Sequence, residues 1–456
     1  MLPTISANDC RDSPVTSDGT FPPGATDLTP LPYGYQCELK FQIPDGFIVQ
    51  FKTKAIIPPN NQKAIEVYLF AANQIYSIPS GQSTSYAPAT SASLNIETVT
   101  GGVQIYVEYT FFDVRTYHQT VMQTGQFLQL APSLGTWSPT EYVTFNAEQD
   151  EVALAVASSF PSDPTAQFTF VYDGSDITAP CVGTLYAFAN AKPMKKSTNQ
   201  NLTIANFYGS NYGAYVVAND YSKVEIFNSY QLVISTSKVP TKISASDDTG
   251  RYAAYTVICD GCDSNYIDSL YFYSSDGDES LDFIPMTPSY SKMAVLSFKH
   301  DSYQKNQFPH QIPAKMFSFV VKSASVDLTL NAGLAKSWIV PAANRKIVIN
   351  SRSMWNPAET PAFNYRFESD TTFNYTLTDV SLIIQSAGEK LRLQIGTPGK
   401  TNNLLKEFGC DNPTDTCVKS EYTPTMAPGT YSTLGYIGSN SQSYVAATIL
   451  INNLKT

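Results

Sequence analysis

Charge is scarce in this chain. Only 15% of its residues are Asp, Glu, Lys or Arg, against roughly 25% in an average soluble protein. The charge that is present is mostly acidic, with 39 acidic residues, 29 basic residues and a net charge of -10. Because phosphates require a clustered basic surface, we expect no nucleic-acid partner.

Long apolar segments are also absent. No run of about 18 apolar residues occurs, so the sequence predicts no transmembrane segment. The first residues, MLPTISANDC, lack the basic and apolar regions of a signal peptide. We therefore interpret the numbering as beginning near a mature N-terminus or at a recombinant start.

Catalytic and metal-binding motifs are missing as well. Neither G-x-S-x-G nor H-E-x-x-H occurs, so the sequence indicates no hydrolase nucleophile elbow and no zinc-protease helix. The three histidines lie far apart, in no metal-ligand spacing: His118, His300 and His310. We expect a non-catalytic protein that needs no cofactor.

One stretch with two glycines invites a phosphate-loop interpretation. It reads GTPGKT over residues 396–401. A Walker loop needs a glycine five positions before the second glycine, where this chain has Gln394, and Pro398 has no N–H to offer a phosphate. We interpret the stretch as a hairpin turn.

Residues that favour β-sheet are abundant, with 29 tyrosines and 25 phenylalanines. Apolar and polar residues alternate with a period of two in segment after segment, for example 39–43, 103–109, 168–172, 326–330 and 391–395. Turn signals such as Asp173-Gly174 separate these segments. Short alternating strands between turns predict an all-β fold of tandem antiparallel β-sandwiches.

The spacing of these strands predicts four sandwiches of about 110 residues each. The expected boundaries are 1–114, 115–220, 221–322 and 323–456. The strongest internal similarity relates VYDGSDITAPCVGTLY at 171–186 to VICDGCDSNYIDSLYFY at 257–273. In both stretches Asp-Gly follows a strand, and a polar loop then leads to a Leu-Tyr pair.

Six of the seven cysteines suggest short disulfide loops. The expected pairs are Cys10–Cys37, Cys259–Cys262 and Cys410–Cys417. A redox role for the C-x-x-C pair would require a helix after its first cysteine, whereas this pair follows a strand, so a structural bridge is favoured. Cys181 remains, either as a buried inert thiol or as a partner of Cys259 or Cys262.

Several features together favour secretion. Charge is low, the cysteines are spaced for disulfides, and two glycosylation sequons occur, at Asn201 and Asn374. The alternative is a cytosolic protein in which both sequons occur by chance.

The first segment resembles the CUB-like domain of secreted nematode proteins. The resemblance rests on the early Cys10 and on LPYGYQCELKFQIPDGFIVQFK, whose characteristic residues are Tyr35, Cys37, Leu39, Pro44, Gly46 and Phe47. Glu38-Leu39 stands where the family usually has an aromatic residue. The second segment is similar to the later half of CUB domains in its Tyr-Asp-Gly turn and in KSTNQNLTIANF at 196–207.

The resemblance implies sandwiches that recognise an extracellular protein or glycan without catalysis, in host defence or in an extracellular coat. Some CUB domains bind calcium through one Glu and two Asp. Here only Asp173 and Asp220 match, with an upstream acid to be supplied by Glu148, Asp150 or Glu151, and no clean set of three results.

Acidic turns offer a second calcium hypothesis, because carboxylates on flexible turns suit that ion. The candidates are Asp276, Asp278, Glu279 and Asp282, with Asp247 and Asp248 in a further turn. The alternative is a solvated acidic turn. Three other functions stay open: a calcium-dependent glycan-binding protein, a hydrolase with an unrecognised carboxylate pair, and a homo-oligomeric coat or filament subunit.

Tyrosines are frequent in the predicted loops, at 210–215, 264–273 and 288–292. Exposed tyrosines give rigid amphipathic contacts to proteins or glycans. The alternative places each of them on an outward strand position or in corner packing. Their number in loops favours a binding role.

Overall fold

The computed structural model describes residues 10, 13–61, 63–70, 74–88, 90–130, 140–158, 165–208, 213–246, 252–273, 279–289, 292–301, 303, 305–401, 403–410, 412, 416–421 and 423–454. They belong to two compact units, Met1–Ser222 and Lys223–Thr456. The predicted all-β class is confirmed, because strands dominate both units. No described helix is both long and apolar enough to cross a membrane.

The first unit contains seventeen described strands. The first nine are β1 (Gly19–Phe21), β2 (Thr29–Pro30), β3 (Gln36–Gln42), β4 (Phe47–Ile56), β5 (Ile65–Leu69), β6 (Gln74–Ser77), β7 (Gly81–Pro88), β8 (Ser91–Glu97) and β9 (Gln104–Asp113). The next eight are β10 (His118–Gln123), β11 (Phe127–Leu130), β12 (Glu141–Asn146), β13 (Val152–Ser158), β14 (Thr169–Tyr172), β15 (Cys181–Thr184), β16 (Asn201–Asn206) and β17 (Ala214–Asp220). Its short α-helices are α1 (Thr165–Phe168) and α2 (Leu185–Ala189), and α3 (Tyr221–Val224) follows at the boundary.

The second unit contains sixteen described strands. The first nine are β18 (Ser229–Thr236), β19 (Thr241–Ser246), β20 (Ala253–Asp260), β21 (Asn265–Phe272), β22 (Ser280–Pro285), β23 (Leu296–Lys299), β24 (His310–Ile312), β25 (Met316–Lys322) and β26 (Ser325–Leu330). The others are β27 (Arg345–Asn350), β28 (Phe363–Ile384), β29 (Lys390–Gly396), β30 (Leu404–Phe408), β31 (Cys417–Glu421), β32 (Thr425–Ile437) and β33 (Tyr444–Asn453). Its α-helix is α4 (Ala335–Trp338), and short 3-10 turns lie at Lys305–Gln307, Ala332–Leu334 and Arg352–Met354.

The first sandwich packs the sheet β3-β8-β5-β6 against the sheet β1-β9-β4-β7. Alternation explains the packing, because β3 buries Cys37, Leu39 and Phe41 and exposes the residues between them. The ring of Phe41 meets Phe51 and Tyr109 edge to face, with centroids 4.9 and 5.1 Å away. Aromatic pairs of this geometry stabilise the core beyond simple area burial.

The second and third sandwiches have the same strand order, except that the third has an additional edge strand, β24. Residues 118–220 form the sheets β10-β12-β16-β14-β15 and β11-β17-β13. Residues 229–330 form the sheets β18-β20-β25-β22-β23 and β19-β26-β21-β24. The orders coincide when β10 to β15 are matched with β18 to β23, β16 with β25 and β17 with β26. In both, the first strand departs from antiparallel pairing, since β10–β12 and β18–β20 are parallel.

This match corrects two expectations from the sequence. The similar stretches at 171–186 and 257–273 do not correspond, because β14 and β15 pair within one sheet whereas β20 and β21 lie in different sheets. The boundary expected at 322–323 also moves, because β26 pairs with β19 and β21. The third sandwich therefore extends through Leu330.

The last segment differs from the others. Its seven strands form one continuous antiparallel sheet, β27-β33-β28-β32-β29-β30, with β31 added beside β28. The 22-residue strand β28 runs through the middle of the sheet. The sheet encloses a core that includes Trp338, Phe367 and Tyr375. The β-sandwich expected over 323–456, possibly of CUB-like type, stays a prediction.

Candidate functional site

The cysteines form three disulfides, with the pairing expected from the sequence. Their Cα atoms lie 5.4 Å apart in Cys10–Cys37, 5.3 Å in Cys259–Cys262 and 5.8 Å in Cys410–Cys417. These separations lie within the range for unforced disulfides. The C-x-x-C pair closes the end of β20, with Gly261 between its cysteines at a φ of +72°.

Cys181 is the free thiol, and it is buried where the first two sandwiches pack together. Burial raises the pKa of this thiol to about 12, so it stays protonated at neutral pH. The tyrosines around it, Tyr76, Tyr172 and Tyr208, also have pKa values raised mainly by burial. A protonated, enclosed thiol is a poor nucleophile, and the alternative partnership with the Cys259–Cys262 pair is wrong.

The Asp173-Gly174 turn has a structural role. Gly174 does not have a positive φ. A Cβ there would lie 2.6 Å from the Cβ of Ala179, so close approach within the loop between β14 and β15 requires glycine. The Asp173 carboxylate accepts a hydrogen bond of 2.8 Å from the backbone N–H of Thr198.

Three of the other candidate acids of the second sandwich have separate partners. Asp150 accepts a hydrogen bond of 3.0 Å from the backbone N–H of Ser222. Glu151 lies 2.6 Å from the Lys196 ammonium, and Asp220 accepts a hydrogen bond from the Thr124 hydroxyl. Each carboxylate is held by a different local donor, so the described geometry does not assemble the calcium set of some CUB domains.

The acidic turn of the third sandwich is described only in part. Asp276 and Asp278, like Asp247 and Asp248, lie outside the described residues. Asp282 is occupied, 2.7 Å from the Lys322 ammonium and 2.5 Å from the Ser297 hydroxyl. Glu279 is buried, and neither of its carboxylate oxygens has a hydrogen-bond partner. Within the described part of the chain, no three His, Cys, Asp or Glu side chains are grouped to hold a metal.

The two sequon asparagines lie within strands. Asn201 begins β16 half-buried, and its side-chain oxygen accepts a hydrogen bond of 2.8 Å from Asn146. Asn374 is also half-buried, in the middle of β28 with β32 and β33 on either side. Asn201 shares its side of β16 with the buried residues Thr203 and Ala205, and glycosylation of either asparagine stays a prediction.

A cleft of about 280 Å³ in the last sheet holds two carboxylates, Glu389 and Glu407. Burial raises the pKa of Glu389, but hydrogen bonds from Ser443, Asn440 and Ser439 outweigh it and leave the pKa below its usual value. Hydrogen bonds from Lys390 and Arg392 lower the pKa of Glu407. A glycosidase needs one carboxylic acid with a raised pKa, so this pair does not offer that chemistry.

The stretch 396–401 forms the turn between the antiparallel strands β29 and β30. The backbone N–H of Lys400 donates a hydrogen bond of 3.1 Å to the carbonyl oxygen of Thr397, and Gly399 has a φ of +75°. These are the features of a tight hairpin turn, as the sequence predicts.

An exposed pair of aromatic residues lies on the outer face of the sheet β19-β26-β21. Tyr271 and Tyr273 are 54% and 62% exposed, and their ring centroids lie 4.9 Å apart at 76°. The strand register puts Ser244, Asp327 and Tyr271 side by side. We call this surface the tyrosine face and define it by Lys242, Ser244, Ser269, Tyr271, Tyr273 and Asp327.

Asp327 is the polar centre of the tyrosine face. One carboxylate oxygen accepts a hydrogen bond of 2.7 Å from the Ser244 hydroxyl, and the other accepts from the Tyr273 hydroxyl. These bonds, with the nearby charge of Lys242, lower the pKa of Asp327. The carboxylate is thus ionised and fixed in direction at neutral pH.

A bulge in β21 helps to build the tyrosine face. The register shifts between Ile267 and Ser269, so Asp268 and Ser269 both point outward and Tyr271 follows on the same side. Bulges often redirect side chains next to functional sites. The loop expected at 264–273 is wrong, because Tyr266 and Tyr271 lie on strand β21, Tyr266 buried and Tyr271 pointing outward. Asp327 and Ser244 were missed, because only strand pairing brings them beside Tyr271.

Comparisons with known proteins support the N-terminal assignment. Residues 5–115 match the family described as "CUB-like domain". No curated protein matches the chain in sequence. The matched residues coincide with the first sandwich and make up less than half of the chain.

Several solved structures are similar to the chain at low identity. The CUB1-EGF-CUB2 domains of rat MASP-1 share 8% identity over 70% of this chain and 99% of theirs, with a TM-score of 0.20. The CUB1-EGF-CUB2 domain of human MASP-1/3 shares 11% over 44% of this chain and 97% of its own, with a TM-score of 0.16. An archaeal virus protein with a triple jelly roll fold and turret assembly shares 8% over 93% of this chain and 82% of its own, with a TM-score of 0.15.

Proposed function

We propose that this chain is a secreted, glycosylated and disulfide-bonded protein that binds an extracellular protein or glycan and catalyses no reaction. The match of residues 5–115 to the CUB-like domain family carries the proposal. Three disulfides support it, because such bonds persist in oxidising compartments.

The sandwiches would act as tandem modules, with the third extended through Leu330 and the single sheet as the last module. The repeated strand order of the second and third sandwiches supports this division. Host defence and an extracellular coat are the settings suggested by the resemblance to secreted nematode proteins. The open tyrosine face supplies a surface on which recognition can occur.

Fractionation of the source organism with an antibody against the chain tests secretion. We expect the protein in the extracellular fraction, with an intact mass that includes glycans on Asn201 and Asn374 and lacks six thiol hydrogens. Enzymatic deglycosylation should remove the added mass and serves as the control. A cytosolic chain with seven free thiols and no glycan would contradict the proposal.

A further inference from the structure

We infer that the tyrosine face of the third sandwich binds a neutral glycan through pyranose rings stacked on Tyr271 and Tyr273. The inference rests on the proposed binding function and names its ligand class and its site. The first observation is the high solvent exposure of the two tyrosine side chains. More than half of each tyrosine is in solvent, on a sheet whose opposite face is a tightly packed core.

The geometry of the tyrosine pair leaves room for a sugar. In an edge-to-face pair, one ring turns its edge to a single face of the other, so this contact covers only one of the four ring faces. A ring face carries partial negative charge, and the C–H groups on one side of a pyranose carry partial positive charge. The two therefore attract each other, and both shed water on contact.

The polar groups beside the rings suit sugar hydroxyls. Asp327 is ionised, and each of its oxygens accepts one hydrogen bond, from Ser244 or from Tyr273. A carboxylate oxygen has two acceptor positions, so each can still accept a sugar O–H. The existing bonds also fix the carboxylate in direction, which lowers the entropy lost on binding.

Charge selects a neutral glycan over an anionic one. The outward residues include the acids Asp268 and Asp327 and a single base, Lys242. Sulfated or phosphorylated ligands are usually held by clustered Arg and Lys, which this surface lacks. A face with more acid than base repels a polyanion and accepts an uncharged chain.

The dimensions suit a short run of linked rings. Three adjacent strands span about 10 Å, and three successive outward rows span about 13 Å. The rows are defined by the pairings of β26 with β19 and β21, together with the backbone hydrogen bond of 2.9 Å from Tyr273 to Ser325. The surface is the outer side of a sheet, so it fits the side of an extended oligosaccharide better than a chain end.

Isothermal titration calorimetry of the full chain tests the inference. The probes are laminarihexaose, cellohexaose and mannohexaose, with a heparin hexasaccharide as the anionic comparison. We expect at least one neutral hexasaccharide to bind and heparin not to bind. Tyr271→Ala and Tyr273→Ala should each weaken the binding about tenfold or more, as truncation of an aromatic hot spot does.

Two further variants separate stacking from folding. Tyr271→Phe keeps the ring and should bind within about twofold of the unmodified chain. Tyr33→Ala is the matched control, because Tyr33 is a 77% exposed tyrosine of the first sandwich and should not affect binding. Thermal melting of every variant confirms that the fold is retained.

Three results would overturn the inference. The first is that no neutral hexasaccharide binds, and the second is that a neutral hexasaccharide binds both alanine variants as tightly as the unmodified chain. The third is that heparin binds the unmodified chain but not the alanine variants. None of these results contradicts secretion or binding at another surface. The fractionation experiment tests the proposed function separately.

Discussion

The second and third sandwiches share a strand order but differ in how they present their smaller sheet. In the second, both faces of the central strand β17 are buried, including Tyr215 and Val217 on the side away from the sandwich core. In the third, the matching strand β26 alternates, with Val326 and Leu328 in the core and Asp327 outside. One topology therefore supports either a closed or an open face, and the side chains decide which.

The difference suggests a division of roles. The larger sheet of the second sandwich also packs against the first sandwich, through Phe170, Tyr172 and Phe207. The hydroxyl of Tyr76 in the first sandwich donates a hydrogen bond of 3.1 Å to the backbone of Gln167, and that of Tyr208 accepts one of 3.3 Å from the backbone N–H of Tyr86. We interpret the second sandwich as a structural spacer and the third as the module that offers a binding surface.

The largest change in stability should come from placing a charged residue on the buried outer face of β17 and an apolar residue on the open outer face of β26. Val217→Asp puts a charge at a fully buried position of β17. We expect a loss of at least about 3 kcal/mol, which lowers the melting temperature of the first unit by about 10 °C.

The reciprocal change, Asp327→Val, loses two hydrogen bonds at an exposed site, so it should lower the melting temperature much less than Val217→Asp does. Val217→Ala is the control for lost volume, and differential scanning calorimetry is the measurement. Equal destabilisation by Val217→Asp and Val217→Ala would show that the outer face of β17 is open to water.

Acid should weaken the third sandwich more than the second, because each has a histidine in a different environment. His310 lies buried on β24 with both ring nitrogens unpartnered, and burial, together with the charge of Lys346, lowers its pKa from 6.5 to about 4. The unfolded chain therefore binds more protons than the folded chain between about pH 6.5 and about pH 4. Stability should fall as pH falls through this window, by about 3 kcal/mol in total at pH 4.

Urea unfolding at pH 7 and pH 4.5 measures this effect. His310→Leu should remove most of the additional acid sensitivity without loss of stability at pH 7, since leucine needs no hydrogen bond. His118→Leu is the control, because His118 lies exposed on β10 of the second sandwich. The explanation fails if His310→Leu is as acid-sensitive as the unmodified chain.

The sequence predicts only in part that the outer face of β17 is buried and that the outer face of β26 is open to solvent. The apolar run AYVVA at 214–218 is typical of a strand buried on both sides, whereas SVDLTL at 325–330 alternates. These patterns distinguish β17 from β26. The contact between Tyr273 and Asp327 joins residues 54 positions apart, and no local pattern encodes it. It arises from strand order, which depends on tertiary packing.

A smaller loss of stability is expected when the disulfide of the third sandwich is removed. The second sandwich has no disulfide among its described residues. Replacing Cys259 and Cys262 by alanine opens a loop with a sequence separation of only three residues. The chain-entropy relation for so short a loop gives a loss of about 2 kcal/mol. Urea unfolding of the second unit measures it, and Cys410→Ala with Cys417→Ala, which opens a loop of separation seven, should cost slightly more. The reverse ranking would contradict the loop-length argument.

The smallest effect should be the reaction of a thiol reagent with Cys181, the one cysteine of the second sandwich. Its pKa of about 12 and its burial leave almost no accessible thiolate at pH 8. Iodoacetamide should therefore leave the native chain unmodified, and it should label one cysteine in urea without reductant, as counted by intact mass. Because Cys181 lies where the first two sandwiches pack together, rapid labelling of the native chain would mean that this contact opens readily. The second sandwich would then be a mobile hinge and not a structural spacer. The two sandwiches would differ in mobility, with the second mobile and the third fixed.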